Sequence, residues 1–197
     1  MEIEIKTIDK DLEFLRQKSE EIDLSTDDIK SYIELSRKYC NEKKLYAIAP
    51  VQIGIPKRMI YIRNSNEDMT KNEDENYSEG IVLLNPKIIS AKGLTSFLEG
   101  CGSCLDKRAL VDRPYQIEVE YMDLSGNTKT EIFEGFISTI LCHEYDHLNG
   151  ILHIDRSDKV FEMTREETKK YRDEHPYKVI SKTCEYDSTS VVKKRIL

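Results

Sequence analysis

Apolar and polar residues alternate strictly along Gln116-Ile117-Glu118-Val119-Glu120-Tyr121-Met122, the period-two pattern of a strand with one buried face. Ser125-Gly126-Asn127 then turns the chain, and Thr128 to Phe133 returns as the second arm of a hairpin. Arg58-Met59-Ile60-Tyr61-Ile62-Arg63 is a strand by β propensity, and Ile81–Leu84 and Pro86–Ile89 read as two short strands. Leu45 to Pro56 is apolar apart from Gln52 and reads as a buried strand that turns at Gly54 and Pro56. Gln52 is a candidate amide donor to a ligand there, against the plainer reading of a buried strand. Ile3, Ile5 and Ile8 suit a short strand or an extended arm.

Helical spacing marks four further segments. Leu12, Phe14 and Leu15 make a helical turn. Ile29, Tyr32, Ile33, Ser36, Tyr39 and Cys40 trace one helix face. Ser25 or Thr26 is expected to cap it, with Asp27 and Asp28 in the first turn, where the dipole favours negative charge. Phe136, Ile137, Ile140 and Leu141 mark a buried helix that runs on to Gly150. Thr164 with Glu167 forms a capping box, opening a polar helix that ends near His175-Pro176. Residues 64–80 are polar and acidic and read as a solvated loop. The last residues carry Val179-Ile180 and Val191-Val192 between polar positions, as a tail or as strands that pack back.

The length falls within the roughly 100–200 residues of one domain. A net charge of -7 argues against a broad nucleic-acid or anionic-membrane surface, and no specific DNA binding is expected. No apolar run approaches the ~20 residues of a membrane span. Met1-Glu2-Ile3-Glu4-Ile5-Lys6 has neither the basic start nor the apolar core of a signal peptide, so a cytoplasmic chain is expected. The five cysteines then read as free thiols or ligands.

The chemistry concentrates in Leu141-Cys142-His143-Glu144-Tyr145-Asp146-His147-Leu148-Asn149-Gly150. Two histidines four apart share one helix face and can hold one metal ion, and Glu144 can reach a water on that ion. A third ligand is needed. Cys101, Cys104, Cys142, His153 and the carboxylates are candidates. Cys142 projects about a hundred degrees around the helix from His143 and reads as a core thiol. His153 completes the pattern H-E-x-x-H-x-x-G-x-x-H of metzincin proteases, which would leave Cys101 and Gln52 without a role.

Three segments together resemble the peptide deformylase family. Leu45-Tyr46-Ala47-Ile48-Ala49-Pro50-Val51-Gln52-Ile53-Gly54 is similar to its motif G-x-G-x-A-A-x-Q-x-G, Glu99-Gly100-Cys101-Gly102-Ser103 to E-G-C-x-S, and His143–Gly150 to H-E-x-D-H-L-x-G. The resemblance covers roughly residues 1–165, and Arg108-Ala109-Leu110-Val111 follows Cys101 at the family's distance. It has departures. Leu45 and Ala47 replace both glycines of the first motif, Pro50 and Val51 exchange the usual order, Gly102 stands where Leu is common, and Cys142 replaces Gln.

The resemblance implies an α+β fold with mixed and antiparallel strands around a central metal-binding helix. Residues 1–175 would form one catalytic domain and 176–197 a C-terminal tail. It implies a metal-dependent hydrolase acting on linear amides, which removes the N-formyl group from nascent formylmethionyl proteins with a metal-bound water as nucleophile. Cys101, His143 and His147 would hold Fe(II), with Zn(II), Ni(II) and Co(II) as further occupants. Glu144 would be the base, and the Gln52 side chain and Gly102 N–H the oxyanion donors. The peptide would lie beside Ala47 and Gly100, with its methionine among Tyr46, Phe97, Phe136, Thr139, Ile140 and the His143 ring. His153 becomes a core ring, and Glu99 and Arg108 a pair near the cleft. Lys193-Lys194-Arg195 makes the ribosome a candidate partner. The alternatives are a metzincin-like protease using His153, and a weakly active relative that binds peptides.

Overall fold

The computed structural model describes residues 3–63 and 80–186. Most of the acidic 64–80 segment, and Val191 to Arg195, lie outside the described residues. In chain order the elements are α1 (Leu12–Arg16), α2 (Ile29–Lys43), β1 (Ala47–Ile48), β2 (Met59–Ile62), β3 (Ile81–Gly100), β4 (Lys107–Arg113), β5 (Gln116–Met122), β6 (Thr128–Glu134), α3 (Phe136–Leu148), β7 (Val160–Glu162), α4 (Arg165–Glu174) and β8 (Lys178–Glu185). All eight of these strands join one sheet, so the architecture is α+β.

β3 organises that sheet. Its first residues pair with β2, its middle with β5 and β8, and its last six with β4, all antiparallel. The sequence reads as two short strands on either side of Asn85, Ile81–Leu84 and Pro86–Ile89. One strand of 20 residues forms instead. Asn85 takes φ 49°, and the β5 register shifts between Leu84 and Lys87, so the strand bends through the break. Asn85 is tied down by its own amide, which donates to Ile22 O at 3.0 Å while its Oδ1 accepts from Ile22 N at 2.7 Å.

The β5–β6 hairpin forms over the expected residues, and β5 buries every second side chain. Its inward residues Ile117, Val119 and Tyr121 pack with Ile140, Leu141 and Leu148 of α3 and with Ala49, Ile60 and Leu83. Each fully buried large aliphatic side chain contributes roughly 1.5–3 kcal/mol relative to exposure, so this face anchors α3 to the sheet. α3 is buried on nearly every side, as befits a central helix.

Three local expectations change. Asp28, not Ser25 or Thr26, caps α2 by accepting from Ser31 N at 3.2 Å. Ser25 is held in a preceding turn, where Asp23 Oδ1 accepts both its N–H and its hydroxyl. The run Leu45 to Pro56 is not one strand. β1 spans two residues and a 3₁₀ turn, Pro50–Ile53, follows, with Pro50 opening it at the fixed φ that suits a first helical position. The segment assigned to a C-terminal tail contains β8, which pairs with β3 residues Lys92–Ser96. β8 is mostly exposed, so it carries no apolar alternation for the sequence to reveal.

The N-terminal residues are the extended arm rather than a strand. Lys6 N donates to Gln52 O at 2.7 Å and Ile8 N to Ser103 O at 2.9 Å, so one short arm ties together two segments that carry site residues.

Candidate active site

Two stretches far apart in the chain, those of Gln52 and of Cys101, converge on α3. The helix sets His143 and His147 one turn apart, with ring centroids separated by 5.0 Å. β3 ends by delivering Cys101 in extended backbone. At Gly100 the strand passes close under the Arg108 side chain, and an added Cβ would lie 2.8 Å from Arg108 Cδ, so that side chain would have to shift. Cys101 Sγ lies 3.3 Å from His147 Nε2, and one ligand atom from each of Cys101, His143 and His147 falls within 4.8 Å of the others. Among the described residues this is the group that can hold a metal ion.

The donor chemistry fits a divalent transition metal. One thiolate and two imidazoles are borderline-soft ligands, and bonds of about 2.0–2.3 Å around a tetrahedral ion set such atoms about 3.3–3.6 Å apart. Hydrogen bonding from the Cys104 thiol, joined by the His147 and His143 imidazoles, holds the Cys101 thiol well below its ordinary pKa against the effect of burial. His143 Nδ1 lies 2.9 Å from Glu99 Oε2, which leaves Nε2 for an ion, the usual carboxylate–histidine–metal arrangement. His147 Nδ1 is buried without a partner among the described residues, so its polar contact is made through Nε2 alone.

Behind His143 runs a buried charge chain. Glu99 accepts two bonds from Arg113, at 2.8 and 3.0 Å. Arg113 Nη1 donates to Asp146 Oδ2 at 2.6 Å, and Arg156 also donates to Asp146. Burial alone would raise the Glu99 pKa, but Arg113 and His143 override it and hold the carboxyl well below its ordinary range. The expected Glu99–Arg108 pair does not form. In the β3–β4 register Glu99 faces Ala109, so Ala109, Val111 and Arg113 share its side of the strand while Arg108 points the other way. Arg108 instead donates to Thr168 Oγ1 and to the carbonyls of Leu105 and Lys107.

Glu144 is buried beside the two imidazoles, and its Oε2 accepts from Ala49 N at 2.8 Å. Burial raises its pKa, with the imidazoles opposing. Gln52 is also buried. Its Nε2 donates to Cys101 Sγ and Ser103 Oγ, both at 3.2 Å, and its Oε1 accepts from Ala49 N at 3.3 Å. Gly102 follows Cys101 and opens an exposed-edged 3₁₀ turn, Gly102–Cys104. A cavity of about 420 Å³ opens beside His143 and Glu144, and Tyr46, Ala47, Phe97, Gly100, Phe136, Thr139 and Ile140 all border it. Leu45 and Ala47, which stand where the resembling motif has glycines, border it too.

His153 is not part of the ligand group. It is 1% exposed, its Nε2 lies 3.2 Å from Lys107 O, and burial pushes its pKa down to about 4, so the ring is neutral. Cys142 is a buried thiol whose pKa burial pushes up to about 12. Arg113 and Arg172, which borders the cavity from α4, had no sequence signal of their own, whereas Ser103 had its place in the second motif. Asp146 had one, its position inside the third motif.

The sequence model of the family described as polypeptide deformylase matches residues 3–162. A peptide deformylase from Finegoldia magna is 35% identical over 161 residues, which cover 81% of this chain and 91% of that one. The crystal structure of a class I type b peptide deformylase from Acinetobacter baumannii, solved with Met-Ala-Ser bound, is similar with a TM-score of 0.68 at 25% identity, covering 79% of this chain and 98% of that one. A probable peptide deformylase from Synechococcus phage S-SSM7 is similar with a TM-score of 0.66 at 30% identity, covering 78% and 99%. The matched span of residues 3–162 includes the positions of Gln52, Cys101, His143, Glu144 and His147, and the chain belongs to the polypeptide deformylase family.

Proposed function

We propose that this chain is a metal-dependent peptide deformylase that hydrolyses the N-formyl group from the formylmethionine of nascent proteins. The observation that carries the reading is the convergence of the Cys101, His143 and His147 ligand atoms beside a buried Glu144 and the Gln52 amide, at the mouth of one cavity. When bound, the ion supplies Lewis acidity, polarising a carbonyl and lowering the pKa of water. We assign Fe(II), which a site with one thiolate suits, with Zn(II), Ni(II) and Co(II) as substitutes.

Glu144 accepts the proton of the water that attacks the formyl carbon and delivers it to the amine nitrogen as the C–N bond breaks, giving formate and a free N-terminus. Gln52 Nε2 and the Gly102 N–H donate to the formyl oxygen as negative charge develops, each such donor being worth about 10²–10³ in rate. Glu99 and Arg113 hold the His143 ring in the orientation that leaves Nε2 free. The peptide adds as a strand beside Ala47 and Gly100, and its methionine side chain enters between Tyr46, Phe97, Phe136, Thr139 and Ile140.

Protein purified anaerobically with Fe(II) is expected to release formate from formyl-Met-Ala-Ser. Full metal occupancy without formate would overturn the reading and favour a peptide-binding relative. A cytoplasmic setting goes with this reading, and among the described residues no helix is long and apolar enough to cross a membrane. Contact with the ribosome through Lys193-Lys194-Arg195 would show as co-sedimentation lost on deleting residues 187–197, and unchanged sedimentation would remove it.

A further inference from the structure

Arg172 is a cation set into the wall of the cleft from beyond the residues that match the family. That match ends at residue 162, and α4 and β8 come after it. α4 turns Arg172 onto the end of β3. Its Nε and Nη2 donate to Leu98 O at 3.1 and 2.9 Å, and its guanidinium lies 4.8 Å over the Phe97 ring. The carbonyl and the ring together fix the plane of the fork. Tyr177 backs this wall, with its ring 6.0 Å from Phe97 and 5.3 Å from Phe136. Arg172 borders the same cavity as Ala47, Gly100, His143 and Glu144.

The guanidinium has no acidic partner among the described residues. The carboxylates that border the cavity are engaged elsewhere, Glu99 with Arg113 and His143, and Glu144 with Ala49 N–H. Lys44 borders the cavity as a second cation. Burial pulls the Arg172 pKa down and the nearby Arg108 pushes it the same way, with Tyr46 and Glu99 opposing. Of the five N–H donors of an arginine, two go to Leu98 O, and the remaining edge can take an anion.

We propose that Arg172 is a specificity-determining residue that favours formylated peptides carrying a carboxylate in the first residues after the methionine. The inference rests on the deformylase reading. With the methionine among the aromatic rings, the backbone leads the next residues along β3 past the fork, which recognises a carboxylate with charge-assisted hydrogen bonds. An ammonium at the same place would meet Arg172 and Lys44, a repulsion that adds to the discrimination. The carboxylate can come from an Asp or Glu side chain or from the C-terminus of a short peptide, and amidated substrates separate the two sources.

The test uses the full Fe(II)-loaded chain with formyl-Met-Glu-Ser-amide, formyl-Met-Lys-Ser-amide and formyl-Met-Ala-Ser-amide at low salt. The glutamate substrate is expected to exceed the lysine one in kcat/KM by about five-fold or more, with the ratio falling as salt is added. Arg172→Met should bring that ratio near one by lowering the glutamate substrate most, and Arg172→Glu should invert it. If Arg172→Met does not fold, Arg172→Lys should keep a reduced preference, and the ratio in the natural chain still decides. Calorimetric binding of Met-Glu-Ser-amide and Met-Lys-Ser-amide should follow the same order without turnover. An advantage of formyl-Met-Ala-Ser over its amide that Arg172→Met removes assigns the C-terminal carboxylate as the source. Glu and Lys peptides processed and bound alike in the natural chain, with no such C-terminal advantage, would overturn the proposal, as would an equal fall of all substrates in Arg172→Met. Formate from none of the substrates would instead sink the deformylase reading, leaving peptide binding to decide the role of Arg172.

Discussion

Glu144 has one carboxylate oxygen fixed by Ala49 N–H at 2.8 Å, so its position is set before any substrate arrives. Glu144→Gln keeps the shape and that acceptor but removes the base. It is expected to lower formate release by about 10²–10⁴, while metal content measured by atomic absorption stays at the level of the natural chain. Metal lost together with activity would instead assign Glu144 a ligand-supporting role. Arg113 is the complementary case, a residue that touches no ligand atom yet links Glu99 to Asp146. Arg113→Met would leave two carboxylates buried without their shared cation, at a cost of about 3–5 kcal/mol in urea denaturation. A loss below about 1 kcal/mol would mean that Arg156 and His143 alone satisfy the pair. The family resemblance implied Arg108 as the partner of Glu99, and the alternation along β4 decides against it.

At the scale of elements, the centre depends on how ends are finished. α3 stops at Leu148, and Gly150 follows with φ 69°, turning the chain beneath α1. A Cβ at Gly150 would fall 2.0 Å from Arg16 O, and Arg16 in turn donates to Gly150 O and pairs with Asp155. Gly150→Ala is therefore expected to destabilise the protein by about 2 kcal/mol or more, read as a lowered denaturant midpoint, through both the left-handed backbone and the contact with α1. An unchanged midpoint would show that α1 moves aside freely. Motif reading identifies this glycine, but the partner that makes it necessary lies 134 residues away. The capping box at Thr164 was readable from two residues and forms as expected, with Glu167 N donating to Thr164 Oγ1 at 3.2 Å.

For the whole molecule, the three ligands come from α3 and from Cys101 just past the end of β3, and the N-terminal arm joins the Gln52 and Ser103 segments. An ion at the centre therefore cross-links elements distant in sequence and stabilises the folded form by mass action, about 2.7 kcal/mol at a hundred times its dissociation constant. Treatment with a chelator is expected to abolish formate release and lower the melting temperature together, and Fe(II) added without oxygen to restore both. Activity that survives complete metal removal would end the metal-dependent reading.

The sequence by itself determined what can be written in local patterns. The β5–β6 hairpin follows from alternation, α3 from helical spacing, and the metal-binding pair from two histidines one turn apart on its face. The family resemblance then singled out Cys101 and Gln52, which spacing alone could not connect to that helix. The tertiary structure decided everything that depends on register and on contacts between distant segments. It made β3 continuous through Asn85, because an asparagine held by Ile22 tolerates positive φ. It paired Glu99 with Arg113, drew β8 into the sheet without an apolar signal, and brought Arg172 to the cavity from a helix that reads as plain surface. Local patterns record which face of an element is buried. Which residue faces which across a fold is set by strand register and helix docking, and these are properties of the assembled chain.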